Sequence, residues 1–147
     1  MSALQKFLRL PAAERRLLIQ AALLLGGIRV GLRLLPYRVV RHVVAQLARA
    51  PAGLRRGGGR FSVDQLTWAV TKISRYVPKS TCLAQALAAQ VLLTWHDHPA
   101  HLHVGITRGE DGGLRGHAWL ESRGITVVGG EELSRYTRVP GMEIESP

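Results

Sequence analysis

Through the first two thirds of the chain, apolar and polar positions follow a helical spacing; after His101 they switch to alternation. Leu10-Pro11-Ala12-Ala13-Glu14 reads as a helix start with proline in its first turn. The apolar run Leu17 to Ile28 continues that helix, and Arg29 and Arg33 interrupt its apolar extension. Pro36 to Arg49 suggests a second helix. Residues 50–60, rich in Gly and Arg and containing Pro51, read as a loop and the best linker in the chain. Ser62 and Gln65 are spaced as a capping box that opens another helix through Ile73. Pro78 holds Val77 extended, and Ser80 or Thr81 is placed to cap a further helix. Alanine and leucine fill about three turns of it from Cys82 to Leu93, both strong helix formers.

The period changes next. His101 to Thr107 alternates, with Leu102, Val104 and Ile106 on one face. A glycine-rich turn comes after it at 109–113. His117, Trp119 and Glu121 share one face of the next run, and Ala118 and Leu120 share the other. After the turn Ser122-Arg123-Gly124, the run 125–128 is rich in β-branched residues. Helices followed by an antiparallel meander make an α+β chain. No internal repeat is visible.

Chemistry concentrates at two positions. Cys82 is the only cysteine, so no internal disulfide is available to it. It falls in the first turn of a helix, where free N–H groups and the macrodipole favour a thiolate. His117 lies on the second strand pattern, with Trp119 beside it to exclude water. A thiolate at a helix start facing a strand-borne imidazole suits nucleophilic acyl chemistry. The bland alternative is an inert cysteine packed as a small hydrophobe.

Charge and composition narrow the partners. Twenty Lys+Arg against ten Asp+Glu give a net charge of +10, nearly all of it arginine, in 147 residues. Arg55, Arg56 and Arg60 around three glycines would suit a phosphate backbone. There is no aromatic stacking platform and no helix-turn-helix pattern, so nucleic acid is not expected. His96, His98, His101 and His103 crowd around Asp97, but Pro99 breaks the segment; it reads as a polar helix-to-strand connection, with no metal expected. The run 17–28 is short for a membrane span and is followed at once by Arg29, so neither a span nor a signal segment is expected. A lone thiol fits a reducing, cytoplasmic setting.

Ser80-Thr81-Cys82-Leu83 with Gln85-Ala86-Leu87, then 102–106, then Gly116-His117-Ala118-Trp119-Leu120-Glu121, resembles the lasso-peptide leader peptidase, the transglutaminase-like protein B of lasso-peptide biosynthesis. The resemblance covers roughly residues 60–135 well and the N-terminal part loosely. It implies a transglutaminase-like (papain-like) core with a nucleophile helix packed on an antiparallel sheet, preceded by N-terminal helices. The expected division is an N-terminal helical segment at 1–60 and a peptidase core at 61–147, which can form one compact unit. Cys82 would be the nucleophile and His117 the base. The backbone N–H of Cys82, and the side chain of Gln85, would serve the oxyanion. No cofactor is implied. The substrate would be the leader segment of a ribosomally made precursor, delivered by a small leader-binding recognition-element protein docked on the N-terminal helices. A lasso cyclase would act next.

One departure stands out. The family's third catalytic group, an aspartate about a dozen residues after the histidine, is replaced here by Gly129. Glu121 is a poor substitute, because four strand steps of about 3.3 Å each separate it from His117. The expectation is that Glu131 turns back to reach Nδ1 of His117 or that no carboxylate does, a backbone carbonyl or a water orienting the ring in its place. Faster cleavage after Gly129→Asp would mark a dyad with an empty third position. The rival readings are acyl transfer to an amine and a non-catalytic scaffold that retains the fold.

Overall fold

The computed structural model describes residues 2–49, 61–77, 82–108, 111–129, 137–138 and 144–145. Among the described residues five helices precede the sheet: α1 (Ala3–Leu8), α2 (Ala12–Leu34), α3 (Tyr37–Ala48), α4 (Val63–Ser74) and α5 (Cys82–Trp95). Pro11 and Pro36 are the N-cap residues of α2 and α3; with φ preset and no N–H, proline suits the start of a helix. Ser62 caps α4 as the sequence suggests. Its Oγ accepts from the amide of Gln65 at 3.2 Å, and its own amide donates to Oε1 of Gln65 at 2.9 Å. Ser2 and Gln5 build the same capping box on α1, a short helix that the apolar pattern does not reveal. The linker 50–60 and the capping pair Ser80 and Thr81 lie outside the described residues.

Helix α2 is longer than its interrupted apolar run suggests. Gly26 and Gly27 do not break it, and Arg29 and Arg33 avoid the buried stripe of Leu17, Leu18, Ala21, Leu25 and Ile28. By length and composition alone α2 would reach across a membrane, which corrects the expectation of a run too short to do so. Its buried stripe packs against α4 and α5.

The core gathers around α5. Leu87, Leu92 and Leu93 are fully buried, as are its alanines at 84, 86, 88 and 89. Small alanines let neighbouring elements approach closely while leucines fill the space between them. Helices α2, α3 and α4 cover one side. The sheet covers the other: β1 (His101–Arg108), β2 (Leu114–Ser122) and β3 (Ile125–Val128) form the expected antiparallel meander. Leu102, Ala118, Leu120 and Val128 face this core. Two further pairings extend the sheet on the other edge of β1, through β4 (Thr137–Arg138) and β5 (Ile144–Glu145).

Two long-range bonds fix the end of α5. The indole Nε1 of Trp95 donates to the Leu47 carbonyl at 2.8 Å, tying α5 to α3. Nε2 of His98 donates to the Phe61 carbonyl at 2.8 Å, tying the α5–β1 connection to the start of α4.

Truncation should separate core from surface. Leu92→Ala removes a fully buried side chain and should cost about 2–5 kcal/mol in urea unfolding. Leu23→Ala, at a residue 71% exposed, should stay within about 0.5 kcal/mol.

Candidate active site

Cys82 is the first residue of α5, and its thiol is half-buried. The packing of α5 on the sheet brings this helix end against β2. There the backbone amide of Ala118 donates to Sγ at 3.5 Å. Ala118 is buried and pairs with Val104 across the ladder, so the amide that meets the sulfur is held by the sheet. His117, one residue earlier, is half-buried. Cys82 and His117 line one cleft of about 460 Å³, together with Leu83, Val104, Gly116 and Ala118. Arg29, Leu32 and Arg33 of α2 complete its wall.

A main-chain oxygen holds the imidazole. Nε2 of His117 lies 2.6 Å from the carbonyl oxygen of Gly129. A carbonyl only accepts, so Nε2 carries the proton and donates. In the neutral ring, Nδ1 is then the atom with the lone pair. The nitrogen that meets this carbonyl is Nε2. At the position where the motif resemblance implies a carboxylate, this chain presents a main-chain oxygen. Glu131 lies outside the described residues.

Gly129 is required for this. Its φ is +74°, a left-handed conformation in which glycine meets no steric penalty. A Cβ at this position would sit 2.6 Å from the Ala118 carbonyl oxygen and 3.2 Å from Cα of Trp119. A side chain at 129, aspartate included, therefore meets both a strained backbone and a steric clash. Backbone and side chain would both have to move, and the carbonyl would leave His117.

Behind the imidazole stands a row of polar and aromatic groups on the sheet face opposite Ala118 and Leu120. The indole of Trp119 stacks near-parallel to His117, ring centroids 6.1 Å apart, and to His103 at 5.6 Å. Its Nε1 donates to Oε1 of Glu121 at 3.4 Å. Oε2 of Glu121 is 3.2 Å from Nε2 of His103, an ion-pair distance when that imidazole is protonated. Glu121 thus serves Trp119 and His103. Gln85, one turn along α5, is half-buried and is not part of the cleft lining.

The remaining histidines have separate surroundings. His98 bonds the Phe61 carbonyl, and buried His96 meets the Phe61 ring edge-on at 5.5 Å. Among the described residues no three His, Cys, Asp or Glu side chains gather into a group able to hold a metal.

The Ala118 amide and the two arginines of α2 that line the cleft are not foreseen in the sequence, which allows a backbone carbonyl at the ring without naming the one at Gly129. Main-chain groups leave no side-chain signature. The Gly129-Gly130 pair is the available signal for an unusual backbone, and two arginines one turn apart in an apolar helix are the signal for an edge outside the core.

A thiol on the first turn of a buried helix, an imidazole on the adjoining antiparallel strand and a cleft shared by both define a fold of the cysteine protease and acyltransferase type. Residues 22–140 match the model of the transglutaminase-like superfamily, and the chain belongs to it. No curated protein and no solved structure gives a significant match.

Gly129 offers a direct check on the site. Gly129→Ala and Gly129→Asp should each lower stability by about 1–3 kcal/mol and slow Cys82-dependent turnover rather than accelerate it. Urea unfolding and single-turnover rates measure the two effects. Faster turnover by the aspartate variant would show that the carbonyl does not orient the ring.

Proposed function

We propose that this protein is a cysteine peptidase that removes the leader segment from a ribosomally made lasso-peptide precursor. The observation that carries the chemistry is the shared cleft of Cys82 and His117, with the imidazole held through Nε2 by the Gly129 carbonyl. The motif resemblance around Cys82 and His117 supplies the substrate. Nδ1 of His117 takes the thiol proton as Sγ attacks the carbonyl joining leader to core. The tetrahedral oxyanion is met by backbone N–H at the start of α5. On collapse the C–N bond breaks, the imidazolium gives its proton to the departing amine, and the leader remains as a thioester on Cys82. Water, deprotonated by the same imidazole, hydrolyses the thioester and restores the thiol. No cofactor enters these steps.

The leader would be presented by a small separate leader-binding protein. The N-terminal helices supply a suitable surface: an apolar groove of about 290 Å³ between α2 and α3, lined by residues including Leu24, Leu35, Val43 and Leu47. A cyclase would use the freed amine. A reducing, cytoplasmic setting keeps the single thiol active.

The test is cleavage of a precursor in the presence of its leader-binding partner, monitored by intact mass. Rapid acid quench should trap the leader on Cys82 as a thioester. Cys82→Ala should abolish cleavage, and His117→Ala should slow it by about 10²-fold or more. Changes at His96, His98, His101 or His103 should do much less. Full leader removal by Cys82→Ala would refute the peptidase reading. Transfer of the leader to an added amine, without hydrolysis, would assign the protein to acyl transfer.

A further inference from the structure

The strand that carries His117 carries two more polar groups on the same face. Alternate residues of a strand share a face, so His117, Trp119 and Glu121 stand in a row on β2, and the ladder sets His103 of β1 opposite Trp119. Trp119 and His103 are buried, and the Glu121 side chain is 21% exposed. A carboxylate withdrawn that far from water needs partners. Glu121 has them on both oxygens: Oε1 accepts from the indole Nε1 of Trp119 at 3.4 Å, and Oε2 lies 3.2 Å from Nε2 of His103. The reaction proposed above uses His117 and leaves the rest of this row without a task.

The Gly129 carbonyl holds His117 by one atom. That hydrogen bond, at 2.6 Å, fixes where Nε2 points and leaves open the tilt of the ring about the bond axis. The indole closes this freedom. Its plane lies within 22° of the imidazole plane at a centroid separation of 6.1 Å, an offset stack. It can do so only while its own plane is held. The N–H of a buried indole needs an acceptor, and the charge on Glu121 strengthens that bond. His103 stacks on the same indole at 5.6 Å and shares the same carboxylate. We propose that Glu121 is a positioning residue for the reaction at Cys82: it fixes the plane of Trp119, whose face sets the tilt of the His117 imidazole. Glu121 is not among the residues that line the cleft, so it acts through the indole. This rests on the reading of His117 as the base that serves Cys82.

Cys82 is the only thiol, so its alkylation by iodoacetamide, followed by intact mass at neutral pH, reads the site without a peptide. Glu121→Leu leaves the indole N–H without this acceptor and should slow alkylation by about tenfold, a part of the 10²-fold or more that a general base contributes. Glu121→Gln keeps an oxygen acceptor without the charge and should recover most of that loss. Trp119→Phe keeps a ring and lacks the N–H, so it should be slowed as Glu121→Leu is. Adding Glu121→Leu to Trp119→Phe should slow the protein little further, because residues that act through one contact are not additive. Urea unfolding checks that each variant is folded. A Glu121→Gln protein slowed as far as Trp119→Phe overturns the proposal, and so does a Trp119→Phe protein as fast as wild type. Both of these outcomes can be read even if Glu121→Leu fails to fold. A full second loss in the double variant overturns it as well.

A long-range proton–nitrogen NMR spectrum of the histidine rings reads the imidazole directly, with His117 assigned by its loss in His117→Ala. Wild-type protein should show the Nε2–H tautomer of His117 as a single sharp form. Trp119→Phe and Glu121→Leu should show broadened signals or a mixture of tautomers, and Glu121→Gln should restore the single form. A His117 pattern unchanged in Trp119→Phe overturns the positioning role. Alkylation of His117→Ala at the wild-type rate would instead refute the coupling of His117 to Cys82, while the spectrum still decides whether Glu121 holds the ring.

Discussion

Helix α5 has no wet face along most of its length: ten of its fourteen residues are buried. A helix apolar all round must be enclosed by other elements. Here α2, α3 and α4 enclose it from one side and the sheet from the other. It emerges only at its ends, at Trp95 and in its first turn, and the first turn is where Cys82 sits. Burial of the rest therefore fixes the thiol at the margin between helices and sheet. The same packing brings the Ala118 amide to the sulfur and opens a cleft walled by α2. The N-terminal helices are part of the site for this reason, since without α2 the cleft has no far wall.

The elements are legible where local chemistry states them. Ser62 and Gln65 announce α4, the alternation from His101 announces β1, and the β-branched run 125–128 coincides with β3. The two-residue strands β4 and β5 are not legible, because they exist only by pairing with β1 from far along the chain. Helix α1 escapes notice because six residues are too few for a periodic signal, although Ser2 and Gln5 carry the cap. The extent of α2 is misjudged because its arginines look like breaks in one dimension. In three dimensions they lie beside the apolar stripe.

The site divides along the same line. Side chains that carry chemistry, Cys82 and His117, can be named from residue type and local pattern. What holds them in place cannot, since it is mostly backbone. An amide from β2 meets the sulfur, and a carbonyl from the turn after β3 meets the ring. In one dimension a carboxylate is expected at 129, and glycine there counts as a loss. The left-handed backbone at Gly129 instead turns its own oxygen toward Nε2.

An orienting group made of main chain has a genetic consequence. A carboxylate partner can be deleted by a single codon change that leaves the rest of the protein intact. The Gly129 oxygen has no such codon, because every amino acid supplies a carbonyl there. The acceptor is lost only when the turn itself is displaced, so the vulnerability moves from a functional group to a torsion angle. Inactivating changes at this position should therefore arise together with a folding defect, and function and foldability become one selectable trait.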